Sequence, residues 1–238
     1  MSKDTAGRYY TAKFYRELTS AQESAREVLP IIFRVIKPAT IVDIGCGTGH
    51  WLAAAHELGV TNIFGVDGLW VDKAELAIPA TNFSARDLAT PLDLGRRFDL
   101  ALCFEVAEHL PETAARTLVQ GLCTAADIVA FSAAIPGQGG RHHLNEQWPA
   151  YWAALFREFR YDCFDYLRPR IWNNPRVAWY YAQNSLIFVR SGVGHSFGQP
   201  TEPMSLVHPE LWSAEVARSR HPGKLLERFA RAILARKR

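Results

Sequence analysis

No stretch of this chain approaches the run of about 18 apolar residues that a membrane-spanning helix needs, so no segment reads as transmembrane. Methionine is nearly absent, at two residues, and the four cysteines (Cys46, Cys103, Cys123 and Cys163) are widely spaced without a C-x-x-C pair. That spacing argues against a thiolate zinc site and a disulfide framework alike, and makes a reducing cytoplasm the expected setting. The opening residues, MSKDTAGRYY, mix charges and lack the apolar run of a secretory signal. There is no internal repeat and no low-complexity tract. A strong charge of one sign is missing too: 27 Lys+Arg stand against 24 Asp+Glu, for a net +3. Even this excess is local, because residues 217–238 carry +7 and leave −4 for everything before them. A mildly acidic body does not suggest an extended nucleic-acid surface, so nucleic acid is not an expected partner.

What is present is 238 residues, 48% of them hydrophobic, enough for one substantial core with appendages. Residues 20–36 read as a helix opened by a Ser20–Glu23 capping box and kinked or split at Pro30. Short apolar runs then alternate with helical stretches. Strands are expected at 40–44, 62–66, 82–85, 98–103, 128–132, 161–166 and 185–190, and helices at 49–58, 70–76, 112–123 and 147–159. Continuous apolar strands between helices indicate a parallel sheet covered on both faces. The last two strands lack a clear crossover, which suggests that the final one enters antiparallel. Residues 191–212, with three glycines and three prolines, read as a loop or arm, and residues 224–235 as a basic amphipathic helix able to dock on a second copy of the chain or on an anionic surface. The expected organisation is a helical cap at 1–36, a ligand-binding domain at 37–190 and a C-terminal arm at 191–238.

The most specific segment is Ile41-Val42-Asp43-Ile44-Gly45-Cys46-Gly47-Thr48-Gly49-His50, an apolar strand running through three glycines into a helix. A dinucleotide fingerprint needs G-x-G-x-x-G, whereas these glycines run G-x-G-x-G, which favours a ligand without a pyrophosphate. Asp43 is suited to an ammonium group. Asp67 follows the second strand, where a carboxylate can accept both ribose hydroxyls, and Asp87 follows the third, within reach of an exocyclic amine. Adenosine joined to a zwitterionic amino acid fits all three, although Asp67 and Asp87 also suit the plainer task of capping turns.

On these residues the chain resembles the class I S-adenosylmethionine-dependent methyltransferases, over roughly residues 37–190. The resemblance implies an α/β, Rossmann-like three-layer sandwich whose seven-stranded, mostly parallel sheet has the order 3-2-1-4-5-7-6 with an antiparallel last strand. It also implies S-adenosylmethionine as cofactor, with Asp43, Gly45, Cys46, Gly47 and Gly49 around its methionine part and Asp67 and Gly68 at the ribose. Asp87 and Leu88 would meet the adenine, and Phe104 and Glu105 would stand beside the transferable methyl. The Asp/Asn-Pro-Pro-aromatic motif usual in methylation of nucleobase exocyclic nitrogens is absent after the fourth strand.

That position instead carries Glu105-x-x-Glu108-His109, similar to E-x-x-E-H in quinone-pathway O-methyltransferases and small-RNA 2′-O-methyltransferases, where it binds magnesium or a similar ion. A divalent cation such as magnesium held by Glu105, Glu108, His109 and His143 is therefore a conditional expectation. In the plainer reading Glu105 touches the cofactor, Glu108 caps the next helix and His109 is structural. After the fifth strand, residues 136–148 form a polar, glycine-rich loop containing His142 and His143, with Asn145 placed to cap the following helix. Its Gly139-Gly140-Arg141-His142-His143-Leu144-Asn145-Glu146-Gln147 resembles segments in methyltransferases of bacterial saccharide and natural-product clusters. The aromatic-rich Ile171-Trp172-Asn173-Asn174-Pro175 stretch is a candidate wall for an acceptor.

Because Glu105, His109, His142 and His143 can take a hydroxyl proton, the expected activity is O-methylation of a sugar or other small hydroxylated metabolite. The alternatives are metal-dependent 2′-O-methylation of RNA and cofactor binding without catalysis. A homodimer is the expected assembly if the basic helix docks on a second copy.

Overall fold

The computed structural model describes residues 12–219 of the chain. Its sheet has strands β1 (Thr40–Ile44), β2 (Asn62–Asp67), β3 (Phe83–Ala85), β4 (Leu100–Phe104), β5 (Ile128–Ser132), β6 (Tyr161–Phe164) and β7 (Leu186–Arg190). They lie in the order β3-β2-β1-β4-β5-β7-β6. The first five pair in parallel, and β7 enters antiparallel between β5 and β6, as expected. The described α-helices are α1 (Ala12–Phe33), α2 (His50–Glu57), α3 (Ala115–Ala125), α4 (Pro149–Glu158), α5 (Arg168–Ile171), α6 (Trp179–Asn184) and α7 (Pro209–Ser219).

The continuous apolar strands fill two cores because successive side chains leave a strand on opposite faces. Ile41, Leu102, Ala130 and Ile187 point to one core, where α1, α2, α5 and α6 contribute Leu29, Leu52, Ile171 and Tyr181. Val42, Ala101, Phe131 and Phe188 point to the other, under Leu118 of α3 and Phe156 of α4. Phe156 stacks flat on Phe188 with ring centroids 3.8 Å apart. The layers are thus helix, sheet, helix. Strand order reverses between β1 and β4, the switch point at which open α/β sheets form their ligand crevice outside the carboxyl ends of the strands.

Several boundaries differ from expectation for local reasons. Helix α1 begins upstream of Ser20, so the Ser20–Glu23 pair does not cap it; Ser20 lies in the helix interior, where its carbonyl accepts from the Ser24 hydroxyl at 2.7 Å. Nor does Pro30 split α1, which runs on as one helix to Phe33 although the proline has no N–H to donate to the Arg26 carbonyl. In place of a helix over 70–76 there is one 3₁₀ turn, Lys73–Glu75, capped by Asp72. Helices α5 and α6 were not expected. Residues 209–212, read as loop, instead open α7, with Pro209 as its first residue. The basic helix expected at 224–235 lies outside the described residues.

The chain divides into two compact units, Met1–Ser205 and Leu206–Arg238. Residues 191–205 therefore stay with the first unit beyond the end of β7. Thr201 is bonded to Cys163 and Asp165, and the Met204 carbonyl accepts from Arg168 at 2.9 Å. Arg168 is almost wholly buried and forks onto Asp165 with bonds of 2.9 and 2.6 Å. Among the described residues no helix is long and apolar enough to cross a membrane.

Removing one partner of a buried pair leaves the other charge stranded. Arg168→Leu is expected to lower stability by about 3 kcal/mol in denaturant unfolding, because Asp165 is 13% exposed and finds little water in compensation. A loss below about 1 kcal/mol would show that the clasp contributes no more than an ordinary surface pair.

Candidate functional site

The crevice at the switch point gathers the glycine loop and the acids expected around it. β1 delivers Asp43 and then the turn through Gly45, Gly47 and Gly49, where α2 begins. Gly45 has φ +91°, and a Cβ there would stand 2.2 Å from a Val106 methyl. A side chain at 45 is excluded twice, and the segment after β4 therefore packs directly against the loop.

Asp67, at the end of β2, is buried, with one oxygen accepting from Gly47 N–H and the other from Gly68 N–H, each at 2.6 Å. Burial raises its pKa, against the pull of those two donors. Asp43 is buried more deeply, and its Oδ2 has no hydrogen-bond partner. Burial, and then the charge of Asp67, push its carboxyl well above the ordinary range. A buried oxygen without a donor, beside a loop too small to fill its own crevice, fits the ammonium end of an amino-acid ligand. The thiol of Cys46 is likewise pushed up by burial, and its Sγ lies 3.4 Å from the Gly47 carbonyl. Asp87 lies exposed after β3, with Oδ1 accepting from Ala89 N–H in a tight turn, while Leu88 is buried. The plain turn-capping role thus holds for one Asp87 oxygen.

The exit of β4 carries the second set. Phe104 stacks on Trp51 of α2 at 4.2 Å, and Tyr181 stands edge-on to both rings. Glu105 adopts φ +53°, rare for a residue with a side chain, and its N–H points at both the carbonyl and the hydroxyl of Ser132. Its carboxylate accepts from Gln138 and Asn184, each at 3.0 Å. Burial raises its pKa, which these donors partly offset.

Glu108 is fully buried, and neither of its carboxylate oxygens has a hydrogen-bond partner. Burial, and then the charge of Glu105, push its pKa well up. Ligand atoms of Glu108, His109 and His143 all lie within 4.8 Å of one another. The rings of His109 and His143 meet edge to face at 4.9 Å, and His143 Nδ1 is 2.8 Å from Glu146 Oε1. Glu146 also accepts from Gly137 and Gly139, so the glycine-rich segment is pinned. With Nδ1 turned to Glu146, the Nε2 edge of His143 lies against Gly140, where a Cβ would stand 2.1 Å from Nε2.

Of the residues expected to ligate a metal, Glu105 stands outside this group, held by its two amides. His143, rather than His142, meets His109; His142 is exposed with φ +58°. Glu108 does not cap a helix, and Asn145 does not cap α4, whose N-cap is Trp148 with no side-chain bond; the Asn145 N–H goes to the Glu108 carbonyl instead. Asn174, from the stretch read as an acceptor wall, donates to Glu27 of α1 at 2.8 Å. Sequence reasoning gave no role to Gln138, Asn184 or Glu146. The run Gln183-Asn184-Ser185, three polar residues just before an apolar strand, was the one signal available, and all three are buried.

A family profile described as a methyltransferase domain matches residues 15–165. No curated protein matches the sequence. Among solved structures, DesVI of Streptomyces venezuelae superposes with a TM-score of 0.55 at 14% identity, over 75% of this chain and 97% of that one. Magnesium protoporphyrin IX methyltransferase of Synechocystis PCC 6803, solved with S-adenosylhomocysteine, gives 0.54 at 17%, over 76% and 90%. A Nostoc punctiforme PCC 73102 chain described as an O-methyltransferase gives 0.51 at 16%, over 70% of this chain but 55% of that one, so this chain spans about half of it. Identities this low speak for the fold alone.

Two outcomes follow from the geometry. Asp67→Ala is expected to weaken S-adenosylmethionine binding by about 1.5 to 3 kcal/mol in calorimetry, the scale of hydrogen bonds to a charged group; unchanged affinity in a folded variant would remove Asp67 from the site. The second concerns Asp43, whose native pKa lies above its unfolded value of about 4. Its contribution to stability is present below that pH and is lost as pH rises through the native pKa. Without ligand, Asp43→Asn should therefore gain on the wild type as pH increases, by about 1.4 kcal/mol per pH unit until the native carboxyl ionises. Thermal unfolding of both proteins from about pH 5 to 8 reads the difference, and a constant gap would contradict a buried, unpartnered carboxyl.

Proposed function

Because this chain belongs to the class I S-adenosylmethionine-dependent methyltransferases, we propose that it methylates a hydroxyl of a sugar or other small hydroxylated metabolite. When bound, the cofactor supplies a methyl group on a sulfonium, open to in-line displacement. The residues around the crevice have separable tasks. The backbone at Gly45, Cys46, Gly47 and Gly49, with Asp43, holds the amino-acid end, and Asp67 and Gly68 hold the ribose. Asp87 and Leu88 meet the adenine, and Phe104 and Glu105 bound the methyl side.

The observation that favours oxygen as nucleophile is the meeting of Glu108, His109 and His143 at the exit of β4. His143 and Glu146 form a base and its orienting carboxylate: with Nδ1–H directed at Glu146, Nε2 can accept the hydroxyl proton, and Glu146 stabilises the imidazolium that results. Holding acceptor and cofactor in line supplies most of the remaining rate enhancement.

A second reading rests on the same cluster. The buried, unpartnered carboxylate of Glu108 with two imidazoles fits a divalent cation, and this nitrogen-rich set suits zinc, iron or nickel better than magnesium. A cation there would lower the pKa of a bound hydroxyl. In that case RNA 2′-hydroxyls join the candidate acceptors.

The test is transfer of labelled methyl to a panel of sugars, phenols and short RNAs, with and without chelator. His143→Ala is expected to lower turnover by about 10²- to 10⁴-fold while S-adenosylhomocysteine affinity stays within about twofold. Chelator-insensitive turnover would leave the metal-free base, and transfer to amines alone would remove the O-methylation reading.

A further inference from the structure

Three glycines precede His143 in the segment after β5, and the backbone requires only two of them. Gly137 and Gly139 have φ of +85° and +69°, where a side chain is strained, whereas Gly140 has a φ that other residues adopt. A Cβ at Gly140 would instead meet the His143 ring, 2.1 Å from Nε2, 2.4 Å from Cε1 and 2.6 Å from Cδ2. Were that Cβ in the ring plane ahead of Nε2, both ring carbons would be distinctly farther from it than the nitrogen is. The nearly equal distances place it over the face of the imidazole, at the Nε2 end. Gly140 thus seats the face of the ring and does not stand in the path of the Nε2 lone pair. The seat is one of several restraints on this histidine. Glu146 Oε1 lies 2.8 Å from Nδ1, the His109 ring stands across it at 85°, and the next two residues, Leu144 and Asn145, donate their N–H groups to the Glu108 carbonyl.

We propose that Gly140 is a positioning residue for the methyl transfer: the space left by its missing side chain is the seat of the His143 ring, and a larger residue there turns the ring out of its reactive posture. The inference rests on the reading in which His143 acts at the acceptor hydroxyl, as base or as metal ligand. The atoms that an added methyl would strike are the far end of a flexible side chain, so the ring rotates away while the backbone of the segment stays in place. Restoring ordinary van der Waals contact moves the Nε2 end by about 1 Å or more. A misplacement of about 1 Å at a reacting group costs on the order of 100-fold in rate. The glycine loop after β1 and Asp67 at the end of β2 lie on other elements and are untouched by this change.

The test is a double-mutant cycle of Gly140→Ala and His143→Ala, read in methyl transfer to the acceptor panel and checked for folding by circular dichroism. Gly140→Ala should lower kcat about 100-fold while S-adenosylhomocysteine affinity stays within about twofold. Added to His143→Ala it should cost nothing further, within about twofold, because the ring it displaces is gone. Losses that multiply in the double variant would show that the substitution acts on the segment itself, and would overturn the proposal. A second measurement needs no acceptor: the nitrogen and proton NMR shifts of the His143 ring, assigned by their loss in His143→Ala, should move in Gly140→Ala, and unchanged shifts would overturn the seat. A Gly140→Ala chain that folds only in the His143→Ala background would support the same contact, whereas failure to fold in both would contradict it. If His143→Ala loses turnover while Gly140→Ala keeps it, the seat alone fails and the role of His143 stands. If His143→Ala turns over as the wild type does, the role of His143 fails and the inference with it.

Discussion

Burying a carboxylate costs several kcal/mol unless donors or a cation offset the lost water, and this protein buries Asp43, Asp67 and Glu108 and half-buries Glu105 at one edge of one sheet. The four are treated differently. Asp67 takes two backbone N–H groups, and Glu105 takes two side-chain amides. Asp43 keeps one oxygen without a donor, and Glu108 keeps two. The first pair is compensated within the chain and shapes the scaffold; the second is compensated only by a proton or by positive charge brought from outside. The edge therefore stores electrostatic cost at Asp43 and Glu108.

Glu105 links this edge to the rest of the fold. Gln138, besides donating to Glu105, accepts through Oε1 from Ile135 N–H, Gln183 and Asn184. One buried amide therefore ties the exit of β4 to the segment after β5 and to α6, which feeds β7. The left-handed backbone at Glu105 costs about 1 kcal/mol or more, and its N–H, shared between the two Ser132 oxygens, helps to hold it there. The end of β4, the segment after β5 and the lead-in to β7 are thus joined by one polar network, which is satisfied at each oxygen of Glu105.

The sheet was legible in the sequence because its strands are continuous apolar runs and its crossovers helical, and strand order followed from the family resemblance. The glycine loop and Asp67 were legible because a tight approach and a buried acceptor at a strand end restrict residue type severely. The start of α1 was misread because Ser20-x-x-Glu23 has the form of a capping box, yet a serine hydroxyl in mid-helix can turn back on the helix, as Ser24 does. Helices α5 and α6 escaped notice because four and six residues are too short for a helical period to show. The partners of Glu105 escaped notice for a different reason: Asn184 is 79 residues away in sequence, and the polar run Gln183-Asn184-Ser185 does not record which residue it meets when β7 enters beside β5.

The segment after β5 shows how composition can mislead about order. Gly137, Gly139 and Gly140 look like a loose connector, yet Glu146 gathers two of their N–H groups and the His143 ring, and the Glu108 carbonyl takes the N–H groups of Leu144 and Asn145. Glycine here permits backbone N–H groups to converge on one carboxylate, which a chain of larger residues would obstruct. The result is that His143 is fixed before any ligand arrives, its ring turned by Glu146 and set against His109. A ligand that meets this ring finds it already ordered, so little side-chain entropy is lost there on binding. The aromatic trio Trp51, Phe104 and Tyr181 belongs to the core on the other face of the sheet, three large rings packed on one another at the end of β4, while Val106, on the face opposite those rings, stands against Gly45 and fixes the segment after β4 on the glycine loop.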